Sequence, residues 1–161
     1  MTRGGAVHAS PKPPPLGDVL DFMRLTWAVD HALQRASKRM EAILGVTGPQ
    51  RFVIRIVGRF PGITAGHLAS LLCVHPSTLT SLIRRLERQG LVRRRSDPRD
   101  LRRSLLGLTE KGRVVDAETV GTIELAVERV IRAAPREKLE ASRDILAALA
   151  SALDDFVVAR K

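Results

Sequence analysis

The stretch from Pro76 to Gln89 most constrains the fold, because it reads as a helix with two opposed faces. At 100° per residue, Leu79, Leu82, Ile83 and Leu86 form one stripe. Ser77, Ser81, Arg84 and Arg88 fall opposite, with Thr78 and Arg85 beside them. Pro76 suits a first helical turn and Gly90 a stop just past the end. One side must dock on a core, while the other presents hydroxyls and guanidinium groups. That inventory suits the DNA major groove, where Arg bonds two acceptors on guanine and Ser or Thr meets bases or phosphates.

The charge pattern separates this reading from that of an ordinary solvated helix. Nine arginines and three acids lie between Arg84 and Arg103, so six of the ten net positive charges sit in one short stretch. Such a concentration is an electrostatic footprint for phosphate.

Around this helix the chain alternates helical patterns with local stops. The pattern of Leu20, Met23, Trp27, Leu33, Met40 and Leu44 predicts a first helix from Leu16 to Leu44, ended by Gly45. Thr47 caps a second helix carrying Phe52, Val53, Ile56 and Val57, closed by Phe60-Pro61-Gly62. Thr64 caps a short third helix carrying Leu68, Leu71 and Leu72. Cys73-Val74-His75 then makes the tight turn of a helix-turn-helix. After Gly90, residues 91–95 and 104–108 predict two strands around the turn Asp97-Pro98-Arg99-Asp100. Thr109 caps a helix expected to run through Val114, Val115, Ile123, Val127, Val130 and Ile131 until Ala134-Pro135 breaks it. A last helix carries Leu139, Leu146, Leu149, Leu153 and Phe156. The class is mainly α with a small β-hairpin wing.

Residues 47–112 resemble the winged helix-turn-helix of the MarR family. The stretches that carry the resemblance are Leu68-Ala69, Pro76-Ser77-Thr78-Leu79-Thr80, Leu86-Glu87-Arg88-Gln89-Gly90-Leu91-Val92, Asp97-Pro98-Arg99-Asp100-Leu101-Arg102 and Leu108-Thr109-Glu110-Lys111-Gly112. The resemblance implies a transcriptional regulator, a repressor in the usual case, acting in the cytoplasm as a homodimer on double-stranded DNA with a palindromic operator. It implies residues 16–46 as a dimerisation helix, 47–112 as the DNA-binding region and 113–161 as C-terminal dimerisation helices. The DNA-binding residues expected are Ser77, Thr78, Ser81, Arg84, Arg85, Arg88, Arg93, Asp97, Arg99 and Arg102, with Arg99 entering the minor groove and Asp97 orienting it or bracing the turn. Asp100 and Arg102 read either as an ion pair that stiffens the wing or as solvated turn residues. Independently, the apolar stripes of the first and last helices exceed what the central module can cover, which also points to a second copy.

The resemblance further implies a small anionic or aromatic effector. Trp27 and His31, one turn apart, and Arg51 and Arg55, likewise spaced, are candidate ligands for an anionic ring. The bland alternative makes Trp27 core and the other three surface. Cys73, the single cysteine, is expected to be a small buried residue, with a redox role as the lesser reading. His8, His31, His67 and His75 show no metal-ligand spacing, and no nucleophile motif or phosphate loop stands out, so no metal, no cofactor and no enzymatic activity are expected. No run approaches the roughly 18 apolar residues of a membrane span. The first fifteen residues, with Pro13, Pro14 and Pro15, read as a flexible arm carrying Arg3 and Lys12, not a signal peptide. Two competing functions remain: nonspecific coating of DNA, and a basic module that docks on an acidic protein.

Overall fold

A computed structural model describes residues 15–158, the side chains of Leu101 and Arg102 excepted. The expected N-terminal arm thus lies outside the described residues but for Pro15. The order is α1 (Gly17–Leu44), α2 (Gly48–Arg59), β1 (Ile63–Thr64), α3 (Ala65–Leu72), α4 (Pro76–Arg88), β2 (Val92–Asp97), β3 (Asp100–Leu108), α5 (Glu110–Ala117), α6 (Ile123–Ala133) and α7 (Arg136–Val158).

The helix ends follow from local chemistry. Gly45, at φ +71°, closes α1 and donates its N–H to the Glu41 carbonyl at 2.9 Å. Thr47 and Gln50 form a reciprocal capping box at the start of α2. Thr64 caps α3 by accepting from the His67 N–H at 3.3 Å. Thr109 caps α5 by accepting from the Gly112 N–H at 3.0 Å, while its hydroxyl donates to the Gly90 carbonyl at 2.6 Å. One threonine therefore ties the end of β3 to the start of β2.

The core sits in the central lobe. Val53, Ile54 and Val57 of α2, Leu68 of α3 and Leu79, Ile83 and Leu86 of α4 are buried together with Leu91, Val92, Leu106 and Leu108 of the hairpin. Each such side chain contributes about 1.5–3 kcal/mol by leaving water. The strands form an antiparallel sheet in the order β1-β3-β2, with Val92 opposite Leu108 and Arg94 opposite Leu106.

Three expectations need correction. The helix expected from Thr109 to Ile131 is broken between Ala117 and Ile123, so α5 and α6 are separate elements. The hairpin has a third partner, since Ile63 and Thr64 pair with Leu106 and Leu105. Cys73 is exposed rather than buried, and it closes α3 in the left-handed conformation at φ +51°.

The terminal helices are barely covered. Neither α6 nor α7 contains a buried residue, and no other element packs extensively on α7. Val19, Leu20, Met23 and Trp27 of α1 are exposed, as are Leu146, Leu153 and Phe156 of α7.

Glycine substitutions test the packing at the hairpin root. A Cβ on Gly112 would sit 2.0 Å from the Leu91 carbonyl oxygen, whereas one on Gly66 would meet nothing within 4 Å. Urea unfolding is expected to show Gly112→Ala destabilised by about 3 kcal/mol. Gly66→Ala is expected to be neutral or stabilised by up to about 1 kcal/mol.

Candidate nucleic-acid interface

Helix α4 is aimed by its apolar stripe. Leu79, Ile83 and Leu86 are buried and Leu82 half-buried, which turns Ser77, Thr78, Ser81, Arg84, Arg85 and Arg88 to solvent. At the helix start His75 acts as the N-cap: its Nδ1 accepts from the Ser77 N–H at 3.3 Å and lies 2.8 Å from the Ser77 hydroxyl. The Ser81 hydroxyl donates to the Ser77 carbonyl at 3.2 Å, which leaves its lone pairs free to accept.

The arginines divide into two groups. Arg85 reaches Glu41 of α1 at 3.4 Å, and Arg94 of β2 holds Glu87 of α4 at 2.8 Å. Arg84, Arg88, Arg93, Arg95 and Arg103 have no hydrogen-bond or ion-pair partner among the described residues. Unpaired guanidinium groups are the ones available to phosphate or base edges without breaking an existing contact.

Strand register decides which way the wing arginines face. Val92, Leu106 and Leu108 are buried, so the two-residue pleat puts Arg94 on their side, next to α4. Arg93 and Arg95 lie on the other side, opposite Gly107 and Leu105. There they border a cleft of about 520 Å³ shared with Val57, Gly58 and Arg113. At the hairpin tip the Asp97 carboxylate accepts the Arg99 backbone N–H at 2.9 Å, so Asp97 braces the turn and the Arg99 side chain points away exposed. Arg102 lies in β3, with its side chain outside the described ones. The contacts of His75 and Arg94 were not singled out from the sequence. A histidine before Pro76 and strand alternation within Arg93-Arg94-Arg95 were the available signals.

The four candidate effector ligands differ in exposure and in partners. Trp27 is 74% exposed and His31 is exposed on α1. Arg51 is only 2% exposed, and its guanidinium is engaged by Glu124 and by the carbonyls of Val115, Asp116 and Glu118. Arg55 pairs with Asp116 at 2.7 Å. No hydrogen bond or ion pair among the described residues joins Trp27 or His31 to either arginine, and none of the four lines the cleft behind the wing. Among the described residues no cluster of three or more His, Cys, Asp or Glu could hold a metal, and no helix is long and apolar enough to cross a membrane.

This geometry has known counterparts. A family model described as MarR family matches residues 46–104. The HTH-type transcriptional regulator FarR of Neisseria gonorrhoeae is 30% identical over 109 residues, covering 68% of this chain and 75% of FarR. The chain belongs to the MarR family. The HTH-type transcriptional regulator TtmR of Methylorubrum extorquens (strain PA1) is 37% identical over 87 residues, covering 54% of the chain but 45% of TtmR. The chain thus spans about half to three quarters of the length of these curated relatives. Among solved structures, the S. aureus MepR-DNA complex aligns with a TM-score of 0.67 at 22% identity, covering 82% of this chain and 97% of MepR. At that identity the likeness shows the fold, a MarR-type winged helix.

The His75 cap is directly testable. His75→Ala removes the acceptor for the Ser77 amide and is expected to cost about 1 kcal/mol of stability in urea unfolding.

Proposed function

We propose that the protein is a transcriptional regulator that reads a palindromic operator as a homodimer, with α4 of each protomer in a major groove. The observation that carries this reading is the outward face of α4. Arg84 and Arg88 stand unpaired there beside the hydroxyls of Ser77, Thr78 and Ser81, next to a wing whose exposed Arg99 is held out by Asp97. Ser77, Thr78, Ser81, Arg84 and Arg88 are assigned to base edges and nearby phosphates, and Arg93 and Arg102 to the backbone. Arg85 joins them on releasing Glu41, an exposed pair that water and salt already weaken. Arg99 is assigned to the minor groove, with Asp97 as its brace. FarR and TtmR are named as transcriptional regulators and MepR was solved on DNA, which supports carrying the activity to this chain.

Dimerisation is supported by the uncovered terminal helices. A helix such as α7, with exposed apolar side chains and no element of the described residues packed extensively on it, calls for a second surface. On this reading residues 16–46 and 113–161 supply that interface and 47–112 meet DNA, with the part of 113–161 that lies in α5 packed on the DNA-reading lobe. Trp27 and His31 lie on the α1 surface that a partner would cover, so an effector site built on them would require the assembled dimer. Arg51 and Arg55 would join it only by giving up Glu124 and Asp116. Occupation of a promoter by this dimer in the cytoplasm would make it a repressor.

Selection of bound duplexes from a random pool at about 150 mM salt tests the reading. An inverted repeat with half-sites about 10 bp apart is expected. Enrichment of nothing beyond A·T content would instead indicate nonspecific coating. With an operator in hand, Arg84→Ala is expected to lose about 1–3 kcal/mol on the cognate site and little on random DNA, whereas Arg93→Ala weakens both alike. Leu146→Asp is expected to sediment as a monomer and to bind the operator about a hundredfold more weakly.

A further inference from the structure

The break between α5 and α6 contains no proline; Gly121, at φ +74°, turns the chain near its far end, while its near end is met by a guanidinium from α2. In an unbroken helix the carbonyls of Val115, Asp116 and Glu118 would accept from the amides of Thr119, Val120 and Thr122. All three carbonyls accept from the buried guanidinium of Arg51, from α2, while Arg55 Nη1 also donates to that of Asp116 at 2.9 Å and the Glu118 N–H to that of Val115 at 3.3 Å. Arg51 Nη1 donates to Val115, and its Nη2 donates to Asp116 at 3.3 Å and to Glu118 at 2.7 Å. Two displaced amides find another acceptor, because the Glu118 carboxylate receives the N–H groups of Thr119 at 3.1 Å and Val120 at 3.0 Å. On the far side of the break, Glu124 in the first turn of α6 accepts from Arg51 Nε at 2.7 Å.

A planar cation with donors on several sides suits this position. It lies at the negative end of α5 and against a carboxylate at the positive end of α6. Arg55 neutralises the remaining charge, pairing with Asp116 at 2.7 Å and reaching Glu124 at 3.6 Å. No side-chain polar atom buried here lacks a partner among the described residues.

The break is also where the chain leaves the DNA-reading lobe. Helix α5 packs on α2 and β3 of that lobe, whereas α6 packs on α1. Contact at the joint is close: a Cβ on Gly48 would lie 3.1 Å from Ile123 and 3.3 Å from Ser37. The geometry points to Arg51 as the positioning residue that sets the angle between the reading lobe and the helices assigned to the dimer. It thereby sets the separation of the two α4 helices. This inference rests on the dimeric operator-binding reading above. Arg51 touches no base. It acts by holding the chain in the broken form against a continuous helix, and the two forms aim α4 differently.

The single cysteine makes the separation measurable. Cys73 is exposed in the turn that leads into α4, so a spin label there reports the distance between the two reading heads of the full-length dimer. Pulsed dipolar spectroscopy of the free protein is expected to give one dominant distance. Arg51→Ala should displace or broaden it, leave sedimentation dimeric and weaken operator binding about tenfold. Glu124→Gln and Arg51→Lys, which keep the site filled, should shift the distribution in the same direction by less, and they carry the test if Arg51→Ala does not fold. Val57→Ala, a core truncation, should lower thermal stability without moving the distance, which distinguishes positioning from stability alone. A dimeric Arg51→Ala protein, or dimeric Glu124→Gln and Arg51→Lys proteins, with the wild-type distance distribution would overturn the proposal. Absence of any dipolar signal in the wild type would overturn the dimer reading and this proposal with it.

Discussion

Burial of Leu79, Ile83 and Leu86 against α2 and the hairpin fixes α4 about its own axis, and every atom of its outward face takes its direction from that contact. A rotation of α4 by one residue position, about 100°, would expose part of the stripe and turn Arg84 toward the core. The loss of apolar burial and the desolvation of a cation both oppose such a rotation. The apolar half of the helix therefore specifies the orientation of the polar half.

Charge is organised by pairing as much as by number. Arg51, Arg55, Arg85 and Arg94 are tied to Glu124, Asp116, Glu41 and Glu87, so those acids brace helix against helix and helix against wing. Among the unpaired arginines of the described residues, Arg84, Arg88, Arg93, Arg95, Arg99 and Arg103 lie together on α4 and the hairpin, where few acids remain to offset them. A field of one sign over a limited surface speeds encounter with a polyanion and weakens steeply with salt. The paired arginines contribute mainly geometry, and Arg51 most of all because water cannot screen it.

Features with local causes were legible in the sequence. Thr47, Thr64, Thr109, Gly45, Pro76 and Gly90 mark helix ends because a cap or stop acts within a few residues, and the structure uses each of them. The amphipathic face of α4 was legible for the same reason. Features written by distant partners were not. At the break after Ala117 the freed Val115 carbonyl accepts from a guanidinium more than sixty residues earlier in the chain, and β1 exists only because β3 pairs with it. The spacing of Arg51 and Arg55 correctly placed both on one helix side, yet spacing says nothing about whether a guanidinium meets solvent, a ligand or a carbonyl. Register was hidden too: the pleat, which sets Arg93 opposite Gly107 and Arg94 opposite Leu106, was not read from the sequence.

The hairpin is anchored at one end only. Its root is held by the Thr109 hydroxyl on Gly90 and by the close approach of Gly112 to Leu91, while its tip lies beyond a register irregularity at Ser96/Asp97. A beam clamped at its base deflects most at its free end, so small bends along β2 and β3 carry the tip sideways by much larger amounts. On the proposed reading Arg99 would then follow a groove that is a little wider or narrower while α4 stays seated, and sequences that differ in backbone shape would share one reading head.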